Sequence, residues 1–592
     1  MADRLTWGDI RRLALRHRKS LLLANLFAVF STLCAVPIPL LLPLLVDEVL
    51  LGQGGAALEF MDRLLPAGWR QAAGYIGLML LFSLALRVLS LVFTVLQARL
   101  FARLSKDIVY QLRTRLIERL KRISLGEYES LGSGTVTAHL LTDLDTLDKF
   151  VGETLSRFLV ALLTLAGTSA ILLWMHWQLA LLILLFNPLV IYATVQLGKR
   201  VKQLKKLEND STAGFAQALA ETLEAIQEIR ASNRQGYFLG RLGLLAREVR
   251  DRSVATQWKT DASNRASGLL FQFGIDIFRA AAMLTVLLSD LSIGQMLAVF
   301  SYLWFMIGPV EQLLSLQYAF YAAGGALARI NQLLARTDEP EFAGEQDPFA
   351  NARTVGIDVR GLRFTYRDEP VLDNLDLSIA PGEKVAIVGA SGGGKSTLVQ
   401  LLLGLYSPQA GTIRFGGASL QDIGLERVRE HVAVVLQHPA LFNGTVRANL
   451  CMGRERSDMD CWRALEIAQL ASTIRQLPDG LDSVVGRSGV RLSGGQRQRL
   501  AIARMVLADP KVVILDEATS ALDAATEYAL HQALRRFLEG RTTLIIAHRL
   551  SAVKQADRVL VFDGGRIAEE GHHQRLINEG GLYARLYGHL QH

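Results

Sequence analysis

Long apolar runs dominate the first part of the chain and are absent from the rest. Before about residue 325, hydrophobic residues gather into six stretches, near Leu21–Leu45, Ala73–Leu96, Leu155–Trp174, Leu179–Leu197, Leu269–Leu288 and Met296–Phe320. A helix needs about twenty mostly apolar residues to cross roughly 30 Å of hydrocarbon, so each stretch predicts a membrane span. Long helical-looking segments rich in Arg and Lys separate the second span from the third and the fourth from the fifth. Only Met175-His176-Trp177-Gln178 joins the third to the fourth, and the fifth and sixth meet near Asp290-Leu291-Ser292. Long basic loops stay on the cytoplasmic side, so this spacing predicts a multi-pass protein with both termini in the cytoplasm.

The pattern then changes period. A linker is expected over residues 326–354, and the stretch from Arg336 to Asp358 carries Pro340 and Pro348 among acidic residues, as linkers do. Short apolar runs follow at Lys384–Val388, Val432–Leu436, Val512–Leu515 and Thr543–Ala547. Runs of that length between turn residues and helical segments predict buried strands of an α/β domain. The expected division is an amphipathic N-terminal helix at 1–18, a transmembrane domain at 19–325, the linker, and a second domain at 355–592.

Composition agrees. Half of the 592 residues are hydrophobic and mean hydropathy is +0.25, too apolar for an ordinary soluble enzyme. The net charge of +8 alone would admit nucleic acid as a partner. The basic residues sit beside apolar spans, however, where topology explains them, and no nucleic-acid partner is expected. Arg11, Arg12, Arg16, Arg18 and Lys19 precede an apolar run from Leu21 to Leu51. That run is too long for a signal-peptide core and ends in no clear cleavage site, so an uncleaved first span is expected. Leu5 to Leu15 would lie on the cytoplasmic face as an amphipathic helix.

Cys34, Cys451 and Cys461 lack metal-site spacing and read as reduced thiols. Charges inside spans are costly and usually functional, which makes Arg87, Asp276, Arg279 and Glu311 candidates for a substrate pathway. Asp276 and Arg279 are three apart and can pair on one helix face, so a structural ion pair is equally open. Tyr302, Trp304, Phe305, Tyr318 and Phe320 make the sixth span aromatic, as packing or interface residues.

The sharpest local signal is Gly389-Ala390-Ser391-Gly392-Gly393-Gly394-Lys395-Ser396-Thr397. It follows a predicted strand and opens a predicted helix. Glycines let the backbone wrap a phosphate chain so that successive N–H groups point at it. Lys395 adds a cation at the β- and γ-phosphates, and the Ser396 hydroxyl can ligate Mg²⁺. ATP and Mg²⁺ are therefore the expected cofactors.

Leu492-Ser493-Gly494-Gly495-Gln496 lies about a hundred residues on, then Val512 to Leu515 ends in Asp516-Glu517, and His548 follows another strand. With these motifs in this order, the chain resembles the ATP-binding cassette (ABC) family from about Val355 onward. The resemblance implies roles residue by residue. Tyr366 would stack on adenine, and Gln437 would reach Mg²⁺ and the attacking water. Asp516 would hold the magnesium shell, Glu517 would act as catalytic base, and His548 would touch the γ-phosphate. Ser520 to Asp523 would cross to a partner subunit. Ser493, Gly494, Gly495 and Gln496 would close on the nucleotide of a second cassette.

Six spans followed by one cassette resemble ABC exporter half-transporters. The implied fold is an all-α six-helix membrane domain followed by an α/β phosphate-loop domain with an antiparallel β subdomain and a helical subdomain. Coupling segments are expected near Gly126–Thr135 and Arg230–Tyr237. The implied activity is ATP-driven export, by alternating access, of a small molecule, lipid or peptide, with an amphipathic or lipid-like one expected, out of the cytoplasm or inner leaflet by a homodimer in the bacterial inner membrane. An ATP-gated channel or regulator and an exporter-fold importer are the alternatives. Without an N-terminal peptidase domain, a leader-cleaving peptide exporter is not expected. One departure stands out: Val485-Gly486-Arg487-Ser488-Gly489 lacks the acidic residue the family usually carries there.

Overall fold

The computed structural model describes residues 4–288, 291–366, 369–390, 392–486, 489–547 and 549–587, with the backbone alone for 56, 133, 183–202, 264, 271 and 314. The chain packs as two compact units, one of Met1–Arg119 with Gly134–Ala335, the other of Leu120–Ser133 with Arg336–His592.

The first unit is helical throughout. Helix Trp7–Arg16 opens on a reciprocal cap in which Thr6 and Asp9 bond each other's backbone N–H. Five segments are long and apolar enough to span a bilayer among the described residues: Arg18–Leu50, Ala72–Leu120, Gly134–Leu182, Gln235–Leu288 and Ile293–Leu334. The fourth expected span lies in the later part of helix Leu155–Glu224. That helix leaves helical geometry at His176 (φ −160°, ψ 96°), within the expected short loop. The His176 Nδ1 accepts the Leu179 N–H at 3.4 Å. The spans and the basic segments are not separate elements, as the sequence suggested, but continuous helices. Ala72–Leu120 has 49 residues, and at about 1.5 Å per residue that far exceeds the hydrocarbon thickness. The last apolar helix also runs on to Leu334, which corrects the expected linker start at 326.

Polar side chains repair the breaks in this apolar bundle. Helix Arg18–Ala35 ends before Pro37 and Pro39, which offer no N–H to the carbonyls before them. The buried Tyr302 hydroxyl donates to the Val36 carbonyl at 2.8 Å. An unpaired carbonyl in hydrocarbon is costly, so Tyr302→Phe should lower stability by about 1–2 kcal/mol. The melting temperature of the purified protein reads this out, and an unchanged value would show the bond to be idle. Asp47 caps helix Ile293–Leu334, accepting the Gly294 N–H at 2.9 Å and the Ser292 hydroxyl. Buried Asp143 bonds His139 at 2.7 Å and Arg329 at 2.6 Å.

The second unit is built on a six-stranded sheet. Its order is Arg566–Gly571, Arg558–Asp563, Lys384–Gly389, Thr542–Ile546, Val512–Asp516 and Val432–Val435. All pairs are parallel except the first. An antiparallel sheet lies beside it, with strands Pro370–Ile379, Ile357–Thr365, Ala410–Phe415 and Ala418–Ser419 in that order. Side chains alternate between the two faces of a strand. Val385 and Ile387 therefore enter the core shared with the antiparallel sheet, while Ala386 and Val388 enter the core shared with the helices. Both faces being covered explains why this strand is apolar without interruption. Buried Cys451 and Cys461 are free thiols with Sγ atoms 3.7 Å apart in the helix-side core.

Candidate functional site

The phosphate loop leaves strand Lys384–Gly389 and enters helix Lys395–Leu402. Gly394 makes the turn possible. Its φ is +89°, and a Cβ there would lie 2.7 Å from the Leu372 side chain and 2.9 Å from the Val371 carbonyl. Lys395 is buried and donates to the Gly389 and Ala390 carbonyls at 2.9 and 2.7 Å. Burial holds its pKa below the ordinary lysine value, against the opposing pull of Glu517 and Asp516. A cation held by two carbonyls and short of solvent is poised to exchange them for phosphate oxygens. Ser391 lies outside the described residues.

The carboxylates come from the next strand but one. Asp516 ends strand Val512–Asp516 and is buried. Glu517 follows in a left-handed conformation (φ +48°) with its N–H bonded to the Ile546 carbonyl at 3.2 Å. Such a φ is unusual for a residue other than glycine. It turns the chain sharply off the strand end, where Gln437 Nε2 donates to Glu517 Oε2 at 2.7 Å. Two of the predicted residues, eighty positions apart, are thus in direct contact.

Tyr366 is half exposed and presents its ring edge-on to Phe364 at 4.8 Å and to Tyr406 at 5.3 Å. Its hydroxyl donates to Gln400 at 2.6 Å and sits 3.3 Å from Thr397. The Tyr406 hydroxyl donates to Glu129 at 2.6 Å, and Glu127 pairs with Arg336 at 2.7 Å. An aromatic chain therefore runs from Tyr366 to the segment Leu120–Ser133, which overlaps the first expected coupling segment.

The signature segment is a capped helix start. Ser493 and Gln496 bond each other's backbone N–H at 3.2 and 2.8 Å at the head of helix Gly494–Ala508. Gly495 lets the helix approach the next loop, because a Cβ there would lie 2.9 Å from the Ala521 carbonyl. Asp523 caps helix Ala524–Leu538, accepting the Thr526 N–H at 2.9 Å. That bond holds the Asp523 carboxyl below its ordinary pKa.

Three organising residues escape a reading of motifs. Buried Gln498 donates to the Gln437 and Glu517 carbonyls at 3.3 and 3.4 Å and to Ser520 Oγ at 3.0 Å. It also accepts the Ala521 N–H at 3.1 Å. One amide thus ties together three segments that carry predicted residues. The available signal was a polar residue on the helix face that also buries Ile502 and Met505. Gln498→Ala should lose about 1–3 kcal/mol of stability, because several buried partners are left unpaired. Chemical denaturation would show it, together with weaker ATPase. Arg549 donates to the Ser520 and Leu522 carbonyls at 2.9 and 3.1 Å and to Glu527, which also accepts from Ser551 at 2.8 Å.

Burial opposes ionisation of Glu527, but the bonds from Ser551 and Arg549 outweigh it and hold the carboxyl below its ordinary range. A depressed folded-state pKa stabilises above the unfolded value, near 4.3 for Glu, and that contribution is lost as pH falls through the folded value. Acid unfolding should therefore show Glu527, and Glu527→Gln should flatten the acid limb. His548 and the substituted pair Arg487 and Ser488 lie outside the described residues. His573 is buried against the Tyr583 hydroxyl at 2.6 Å, a structural setting.

In the membrane unit, Arg87 lines a cavity of about 600 Å³ with Leu42, Met79, Ser83, Trp304 and Phe305 among its neighbours. Arg87 has no ion pair among the described residues. Asp276 and Arg279 pair with each other at 3.6 Å and do not line that cavity, nor does Glu311.

Residues 372–520 match the family model described as ABC transporter, and residues 21–310 match that of the ABC transporter transmembrane region. The ATP-dependent lipid A-core flippase of Chromobacterium violaceum is 34% identical over 485 residues, 82% of this chain and 83% of that protein. A protein of the same name from Alcanivorax borkumensis is 33% identical over 541 residues, 88% of this chain and 92% of its own. Among solved structures, a bacterial Atm1-family ABC exporter with ATP bound has a TM-score of 0.79 at 26% identity, covering 99% of each chain. A membrane-embedded helical region and a cassette built to bind nucleotide thus occur in one chain, which belongs to the ABC transporter family as an exporter-type half-transporter with an ATPase coupled to transport.

Proposed function

We propose that this chain, as a homodimer, moves an amphipathic, lipid-like molecule out of the inner leaflet of a bacterial inner membrane, with its cassettes in the cytoplasm. The observation that carries the substrate class is the 600 Å³ cavity, in which one cation, Arg87, lies with Ser83 and Ser301 among mainly apolar and aromatic residues. A charged headgroup would meet the guanidinium while acyl chains meet Met79, Trp304 and Phe305. The names of the two flippases support the same class. Purified chain in liposomes with a fluorescent lipid carrying an anionic headgroup tests it. ATP-dependent movement between leaflets is expected, slowed in Arg87→Gln, and movement indifferent to ATP would refute the proposal.

At the cassette, the donor set fits Mg²⁺. Ser396, Gln437 and Asp516 supply a hydroxyl, an amide carbonyl and a carboxylate, the hard oxygen ligands this ion takes. Gln437 gives its Nε2 to Glu517, which leaves its Oε1 free for such a role. Bound there, the ion would neutralise charge on the phosphates. Lys395 and the loop N–H groups bind the phosphate chain, and Tyr366 packs against adenine. Glu517 accepts a proton from the attacking water and holds it in line. His548 donates to the γ-phosphate. Ser493 to Gln496 and Asp523 close the site from the second copy, so that two cassettes enclose two nucleotides. Tyr237, at the end of the second expected coupling segment and in the first turn of helix Gln235–Leu288, is exposed. Mass measurement in nanodiscs should give a dimer active without any other polypeptide. A monomer, or a dimer silent until a second gene product is added, would overturn the homodimer.

A further inference from the structure

The elbow between the amphipathic helix and the first span holds a basic crevice of about 640 Å³, lined by Arg12, Leu15, Arg16, His17, Arg18 and Lys19. Positive charge beside a span is ordinary; several unpaired cations gathered on one anchored elbow are not required by topology. Helix Trp7–Arg16 is not a loose tail. Trp7 stacks on Phe320 at 5.1 Å and meets Phe150 edge-on at 5.4 Å. The Leu5 backbone bonds the Asn331 amide in both directions at 2.7 and 2.8 Å. The helix therefore presents Arg12 and Arg16 at fixed positions. The chain breaks helical geometry at His17 (φ −98°, ψ 41°), which brings Arg18 and Lys19 to the same crevice.

Most of the charge is left uncompensated. Only Arg12 among the described residues of the crevice has an ion-pair partner, Asp9 at 3.2 Å. Arg16, Arg18 and Lys19 make no ion pair or side-chain hydrogen bond among the described residues. Below the crevice, Leu22, Leu26, Val29 and Leu33 are all exposed. Their spacing of four, three and four places them along one helix face, with Arg18 one turn above Leu22. Cations at the head of an exposed apolar stripe match an amphiphile with a phosphate headgroup and an acyl chain. They match a free anion less well, because the stripe would then go unused.

We propose that this elbow binds the headgroup of an anionic phospholipid of the cytoplasmic leaflet, as a resident lipid distinct from transported cargo. The full chain is placed in nanodiscs of phosphatidylcholine containing a photoactivatable phosphatidylglycerol, and the label is mapped by peptide mass spectrometry. Label is expected on the segment from Leu15 to Leu26, above that from photoactivatable phosphatidylcholine. It should fall roughly fivefold for each cation removed in Arg16→Gln/Arg18→Gln, and raised salt should weaken it in the native chain. Arg16→Lys/Arg18→Lys keeps the topogenic charge and should keep most of the label, so the salt series and this variant decide the matter even if the neutral variant inserts wrongly. Equal labelling by the two lipids, or labelling indifferent to salt, would overturn the site. Displacement by millimolar inorganic phosphate would make it a free-anion site instead. Labelling that appears only during ATP turnover would make the lipid cargo.

Discussion

Glu517→Gln should bind ATP as tightly as the native chain and hydrolyse it at roughly one hundredth of the native rate or less. The substitution is nearly isosteric. Gln437 donates to Glu517 Oε2 at 2.7 Å, and an amide oxygen can accept the same bond. The backbone turn at φ +48° and its bond to Ile546 do not involve the side chain. What would be lost is the basic oxygen proposed to take a proton from the attacking water. With binding intact and turnover blocked, the cassettes should accumulate closed around ATP, and the transporter should elute as a nucleotide-loaded dimer. Single-turnover hydrolysis and retained nucleotide measure both halves. Turnover near the native rate would remove Glu517 from the role of base.

Lys395→Ala should weaken ATP binding by roughly ten- to a hundredfold, at about 1.4 kcal/mol per tenfold, and abolish transport with it. The ammonium is buried and bonded only to the Gly389 and Ala390 carbonyls among the described residues. Removing it leaves those two carbonyls without this donor and takes away the cation proposed to meet the phosphates. The two variants separate by phenotype, since one binds without turnover and the other does not bind. Equilibrium titration with a fluorescent ATP analogue distinguishes them. A Lys395→Ala protein with native affinity would place the nucleotide elsewhere.

The tertiary structure also joins features that the sequence treated separately. Tyr366 was read as a stacking residue and Gly126–Thr135 as a coupling segment. Tyr406 stands between them, 5.3 Å from the Tyr366 ring and 2.6 Å from Glu129. Tyr406→Phe keeps the ring contact and deletes the bond. It should leave ATP affinity unchanged and reduce the stimulation of ATPase by the proposed lipid-like substrate, and unchanged stimulation would show the contact to be passive.

Features that depend on local pattern were legible along the chain. Apolar length settled that spans exist, because hydrocarbon thickness fixes how many residues a helix needs. The phosphate loop, the strand-end carboxylates and the signature segment were legible because each is a contiguous run whose chemistry depends on neighbours in the chain. Features that join residues far apart in the chain emerge from the fold. Pairing of Gln437 with Glu517, the hub at Gln498, the cap that Asp47 gives to helix Ile293–Leu334, and the bond from Tyr302 to Val36 all join distant positions. So does the contact of Cys451 with Cys461, which spacing alone left as two unrelated thiols. Buried polar atoms must find partners wherever the fold places them, and neither periodicity nor a motif records which distant atom that will be.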